Sequence, residues 1–114
     1  MVPCPWSSEI LNVARERPEL DLGVHLTLNS EWSGYRWGPV STRDPASGLI
    51  DGAGNFWPQT AMTAATMEPA AAIAELRAQI EIVRAAGVEF THLDTHMLGA
   101  LTPALERLGA LRPD

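Results

Sequence analysis

The chain has 114 residues, which suits one small domain. With 46% hydrophobic and 19% charged residues, it has the composition of a folded globular domain and not of a disordered chain. Its formal net charge of -6 excludes the basic footprint of a nucleic-acid binder and any attraction to an anionic membrane surface.

Met1 to Pro5 reads as the tail of a strand, with Cys4 between two prolines as a buried, inert thiol. As the only cysteine, it excludes an internal disulfide and a cysteine zinc cluster. The N-terminus shows no basic region followed by an apolar core, and no apolar run approaches the roughly 20 residues of a membrane helix. A cytoplasmic protein without a membrane span is the expectation.

Ser7 is placed to cap a helix running to about Arg17, with Glu9 in its first turn and Pro18 ending it. Ile10, Leu11 and Ala14 are its expected buried stripe. From Asp21 to Leu28, Leu22, Val24, Leu26 and Leu28 alternate with Gly23, His25 and Thr27, the period of a strand. The aliphatic face should pack on helices. The Gly/His/Thr face is small and polar, as suits a strand lining a site.

Asn29 to about Ala65 is a long connection holding three of the four tryptophans, Trp32, Trp37 and Trp57. Gly52 and Gly54 predict a tight turn, such as a hairpin tip. Indole rings stack on the apolar faces of sugars, so the loop could bind carbohydrate; equally, the tryptophans could fasten an irregular loop to its scaffold. From about Thr66 to Ala86 the sequence predicts a helix, with Pro69 in its first turn and Ile73, Leu76, Ile80 and Val83 at helical spacing. Gly87 suits its C-terminal end. A strand follows from Val88 into His92-Leu93-Asp94-Thr95-His96, and a further helix is expected over 103–111.

Strands alternating with helices predict an α/β fold with parallel strands and flanking helices. Two of the three histidines lie in the last strand, where His92, Asp94 and His96 share one face. Imidazoles with a carboxylate form a ligand set for a divalent metal, and His25, late in its own strand, could join it as a sheet neighbour. His92 and Asp94 could ligate directly or orient the ligands. A purely structural histidine cluster is the alternative.

Gly23-Val24-His25-Leu26-Thr27-Leu28, followed by Thr91-His92-Leu93-Asp94-Thr95-His96, resembles the YdjC/ChbG-like family of carbohydrate deacetylases. Asn29-Ser30-Glu31-Trp32, Tyr35-Arg36-Trp37-Gly38-Pro39 and Met1-Val2-Pro3-Cys4-Pro5-Trp6 extend the likeness over nearly the whole chain. The resemblance implies a (β/α) barrel-like fold of the polysaccharide deacetylase (NodB-like) type, of which residues 1–114 would form one partial domain. It implies a hydrolase that removes N-acetyl groups from amino-sugar oligosaccharides and uses one divalent metal ion, Mg²⁺ or Zn²⁺. The family's two histidine ligands map onto His25 and His96. Its aspartate ligand and the adjacent aspartate base do not map, because this chain has no Asp-Asp pair. The strand carrying that pair would precede Met1 and the later strands would follow Asp114. Little or no activity is therefore expected of the chain alone. Supporting roles fall to Asp94 and His92, and substrate contact to Trp32, Arg36 and Trp37. The expected partner is an N-acetylated oligosaccharide, and open strand edges leave room for a homo-oligomer.

Overall fold

The structure is a computed structural model and describes residues 1–97. The helix expected over 103–111 lies outside them. Met1 to Trp6 forms turns and not the tail of a strand, the Cys4 amide donating to the Met1 carbonyl and the Ser7 amide to the Cys4 carbonyl. Prolines at 3 and 5 lack the N–H groups a strand ladder would use.

Helix α1 spans Ser7–Glu16. Trp6 occupies the cap position and no side chain caps the helix, so Ser7 is its first residue and not its cap. Ala14 is buried and Leu11 half-buried, but Ile10, expected in the buried stripe, is 65% exposed. The helix rests on the sheet by a narrower edge than its apolar pattern offers.

Strand β1 is Gly23–Leu26, helix α2 Thr60–Thr66, helix α3 Pro69–Ala85 and strand β2 His92–Thr95. A 3-10 turn lies at Pro45–Ser47. The expected connection at 29–65 thus contains most of one short helix, α2. Its only buried residue is Thr63, so it leaves no apolar stripe in the sequence.

The two strands pair in parallel, Gly23 with His92, Val24 with Leu93, His25 with Asp94 and Leu26 with Thr95. The Thr91 amide donates to the Leu22 carbonyl and the His96 amide to the Leu26 carbonyl, each at 2.9 Å, extending the ladder at both ends. The crossover between them carries α2 and α3, as parallel pairing requires. The fold is α/β, with a parallel pair of strands and flanking helices.

Val24, Leu26 and Leu28 are buried against Ala72, Leu76, Ile80 and Val83 of α3, and Leu49, Ile50, Phe56 and Trp37 of the long connection complete the core. Thr27, expected on the polar face, is fully buried. Sheet pairing stops before it, and the Gln79 amide replaces the missing neighbour: Oε1 accepts from the Thr27 N–H at 3.0 Å and Nε2 donates to the Thr27 carbonyl at 2.8 Å. Glu75, one turn earlier on α3, is also fully buried. It accepts from the amides of Val40 (3.0 Å) and Ser41 (2.9 Å), from the Ser41 hydroxyl and from Gln79. These two polar side chains bind strand, helix and loop into one unit.

The expected hairpin tip is present. Ile50 and Phe56 form an antiparallel bridge, and the Asp51 amide donates to the Asn55 carbonyl at 2.8 Å. Asp51 Oδ1 accepts from the amides of Ala53 and Asn55, and Gly54 takes φ 82°. No described helix is long and apolar enough to cross a membrane.

Candidate functional site

The register decides which side chains meet. His25 stands directly opposite Asp94, so both fall on one face of the sheet. His25 Nδ1 lies 2.6 Å from Asp94 Oδ1. Gly23 stands opposite His92 on the same face, and a Cβ at Gly23 would overlap the His92 ring. The glycine therefore admits that imidazole across the strand. His92 is exposed and its Nδ1 is 2.9 Å from Thr91 Oγ1.

His96 sits just beyond β2, with its ring 5.4 Å from that of His25, centroid to centroid, at an interplanar angle of 71°. The two histidines, remote in sequence, are neighbours at the C-terminal end of the parallel strands, where α/β sites form. His96 Nε2 is 2.8 Å from Glu31 Oε2, and the side chains are 14% and 28% exposed. Burial pushes the Glu31 carboxyl up, but hydrogen bonds from His96, from its own backbone and from Trp32, with the charge of His96, outweigh this and hold it below the usual carboxylate value.

Glu31 was not among the sequence-expected site residues, and neither were Trp6 and Tyr35. Glu31 shares the odd-numbered parity of His25, and a period of two continued past the end of β1 would have placed it on that side. Trp37 is buried, donates from Nε1 to the Asn29 carbonyl at 2.8 Å, and stands 6.3 Å from the His96 ring. Tyr35 packs edge-on against it at 5.8 Å, and Trp6 against Tyr35 at 6.4 Å. A row of aromatic rings thus runs from His96 to the surface at Trp6, which is 71% exposed. Trp32 is 63% exposed beside Glu31. Trp57, by contrast, fastens the loop, its Nε1 donating to the Gly48 carbonyl. Arg36 braces the loop from within, reaching Ser30 Oγ, Asp51 Oδ2 and the Phe56 carbonyl at 2.8–3.2 Å. With Trp37, Arg36 also lines a polar cleft of about 670 Å³.

Two imidazoles at this separation suit a divalent cation by their donor chemistry. Each has one ring nitrogen held by a carboxylate, as the outer nitrogen of a metal-bound histidine usually is. Among the described residues, no group of three or more His, Cys, Asp or Glu side chains converges as a complete ligand set.

This geometry belongs to a recognisable class. The YdjC-like protein family matches residues 1–109, and the chain belongs to that family. No curated protein matches it. Among solved structures, it is similar to a crystal structure from Enterococcus faecalis V583 named as a candidate cellobiose-phosphate cleavage protein, with 27% identity and a TM-score of 0.76. The match covers 96% of this chain and 42% of that one, so the chain spans less than half the length of its neighbour.

Proposed function

We propose that this chain carries the two-histidine part of the metal centre of a carbohydrate deacetylase, a hydrolase that removes N-acetyl groups from amino-sugar oligosaccharides. The observation that carries the reading is the meeting of His25 and His96 at 5.4 Å, each paired through a ring nitrogen with a carboxylate. Family membership and a neighbour named for cleaving a phosphorylated disaccharide support carbohydrate as the substrate class. The barrel of the polysaccharide deacetylase type belongs to the same proposal, with β1 and β2 as two of its parallel strands.

His25 and His96 would hold one divalent ion, Mg²⁺ or Zn²⁺, which supplies Lewis acidity toward a carbonyl and lowers the pKa of water to about 7. Asp94 orients the His25 ring. His92, exposed on the same face, is placed to exchange a proton with solvent or with a leaving amine. Trp32 offers an exposed indole for a sugar face, and Arg36 and Trp37 line the neighbouring cleft.

The test has two arms. Zinc or magnesium titration of the chain should give saturable binding that weakens in both His25→Ala and His96→Ala; unchanged affinity in both would refute the shared site. Acetate release from an N-acetylated chito-oligosaccharide should then be measured with a full-length relative carrying the same histidines. A relative that cleaves cellobiose phosphate and releases no acetate would overturn the deacetylase reading and leave the carbohydrate class in place.

A further inference from the structure

We propose that Glu31 is a positioning residue that fixes the tautomer of His96, so that His96 offers Nδ1 and His25 offers Nε2 to a shared cation. This deepens the metal reading above and rests on it. A neutral imidazole has one N–H and one lone pair, and the partner at one nitrogen decides which the other carries. A carboxylate can only accept, so the proton between Glu31 and His96, 2.8 Å apart, is placed on Nε2. The lone pair is then left on Nδ1. At His25 the arrangement is reversed: Asp94 accepts at Nδ1, 2.6 Å away, and the lone pair is left on Nε2.

Glu31 is itself held in place. Its carboxylate oxygen lies 2.8 Å from His96 Nε2. Only 28% of its side chain is exposed, so little water competes for the bond. The His96 ring also packs edge-on against buried Trp37. A ring with a fixed acceptor at one nitrogen and an aromatic wall beside it has little freedom to flip. Two carboxylates, one just past β1 and one on β2, thus set opposite tautomers on two neighbouring rings.

The experiment reads the rings directly. Long-range proton–nitrogen correlation spectra of the ¹⁵N-labelled chain at about pH 8, where imidazoles are mostly neutral, should show His96 as the Nε2–H form and His25 as the Nδ1–H form. Zinc should shift the unprotonated nitrogen of each ring. Glu31→Ala should turn His96 into a tautomer mixture and weaken zinc binding about 10- to 100-fold. Glu31→Gln, which keeps an acceptor oxygen, should recover most of that loss and serves if the alanine variant does not fold. A His96 ring protonated at Nδ1 would overturn the proposal. So would a zinc shift at His96 Nε2, or a Glu31→Ala chain with unchanged tautomer and affinity. A wild-type chain that takes up no zinc, yet loses the Nε2–H form of His96 in Glu31→Ala, would refute the metal reading and leave the role of Glu31 standing.

Discussion

Glu75, wholly buried, and Cys4, half-buried where the sequence suggested full burial, show how much depends on where a polar group is placed. Glu75 has no exposed surface, and its carboxylate is the only acceptor described for the amides of Val40 and Ser41. Removing it strands those donors and the Gln79 amide that also leans on it. Stranding a buried donor costs about 1–3 kcal/mol, less where water can enter, as it can beside exposed Ser41. Glu75→Ala should therefore lower unfolding free energy by about 2–3 kcal/mol in urea titration, and Glu75→Gln by less. Cys4 behaves oppositely, by resisting ionisation. Burial pushes its thiol above the ordinary value, the positive N-terminus opposes this, and the Glu31 charge adds to it. A raised pKa means that the native state holds the proton longer than the unfolded chain. The associated stability is fully present below the ordinary thiol pKa and is lost as pH rises through the raised value. Iodoacetamide should alkylate Cys4 more slowly in the native chain than in urea at every pH up to that range, the two rates converging only above it. Equal rates at neutral pH would show that the thiol is not sheltered.

At the level of elements, β1, β2 and the hairpin tip were readable, whereas the strand tail expected at Met1 to Pro5 and the short helix α2 inside the connection were not. The period of two in β1 identified His25's face because the other face of that strand is buried and a slip would invert it. The parallel register then sets Asp94 opposite His25, with His96 just beyond β2. Helix α3 was equally plain in its aliphatic stripe. Its buried face also includes Glu75 and Gln79, however, and hydrophobic periodicity assigns polar residues to solvent by default. The signal was their position one turn apart within the arc of Ala72, Leu76, Ile80 and Val83. Helix α2 is held by hydrogen bonds that leave no apolar pattern. The Gly48 carbonyl accepts from Trp57 Nε1 at 3.1 Å and from Thr66 Oγ1 at 2.7 Å. Gly48 has φ 70°, and a Cβ there would run into the Thr66 carbonyl. Gly48→Ala should cost more than about 1 kcal/mol, from left-handed strain and from that clash together, read as a lower urea midpoint. The aromatic row gives a functional counterpart. With Trp32 beside the row's outer rings, Tyr35 and Trp6, as the sugar platform of the proposed function, Trp32→Ala and Tyr35→Ala should each weaken chito-oligosaccharide binding several-fold without changing the urea midpoint. Trp37→Ala should lower the midpoint as well, because Trp37 is part of the core.

Across the whole molecule, the packing is uneven, and this has a measurable consequence. Between β1, α3 and the long connection the core is closed by fully buried residues, among them Leu26, Leu28, Leu49, Phe56 and Leu76. Under α1, on the same apolar side, the described residues leave it open. An apolar cavity of about 280 Å³ lies between α1 and β1, lined by Val2, Leu11, Ala14, Val24, Val88 and Phe90, among others. Beside it Trp6, Ile10 and Val13 remain exposed. The sequence could not show this: the pattern of α1 states that Ile10, Leu11 and Ala14 want burial, not whether the fold brings enough partners to bury them. Atoms lining such a space lose dispersion contacts on one side, and a side chain that fills it should restore them. Ala14 is the natural site, being buried in the wall of the cavity and inside a helix that leucine favours nearly as well as alanine. Ala14→Leu adds three carbons at about 0.8 kcal/mol for each one fully buried, less the rotamer entropy the new side chain loses. A net gain of about 1 kcal/mol is expected, seen as a higher urea midpoint with an unchanged slope. An apolar dye that fluoresces on binding exposed hydrophobic cavities should light up with the wild-type chain and less with the variant. A lower midpoint would mean that the new side chain is forced against Val24 or Val83, and that α1 already sits as close to the sheet as its side chains permit.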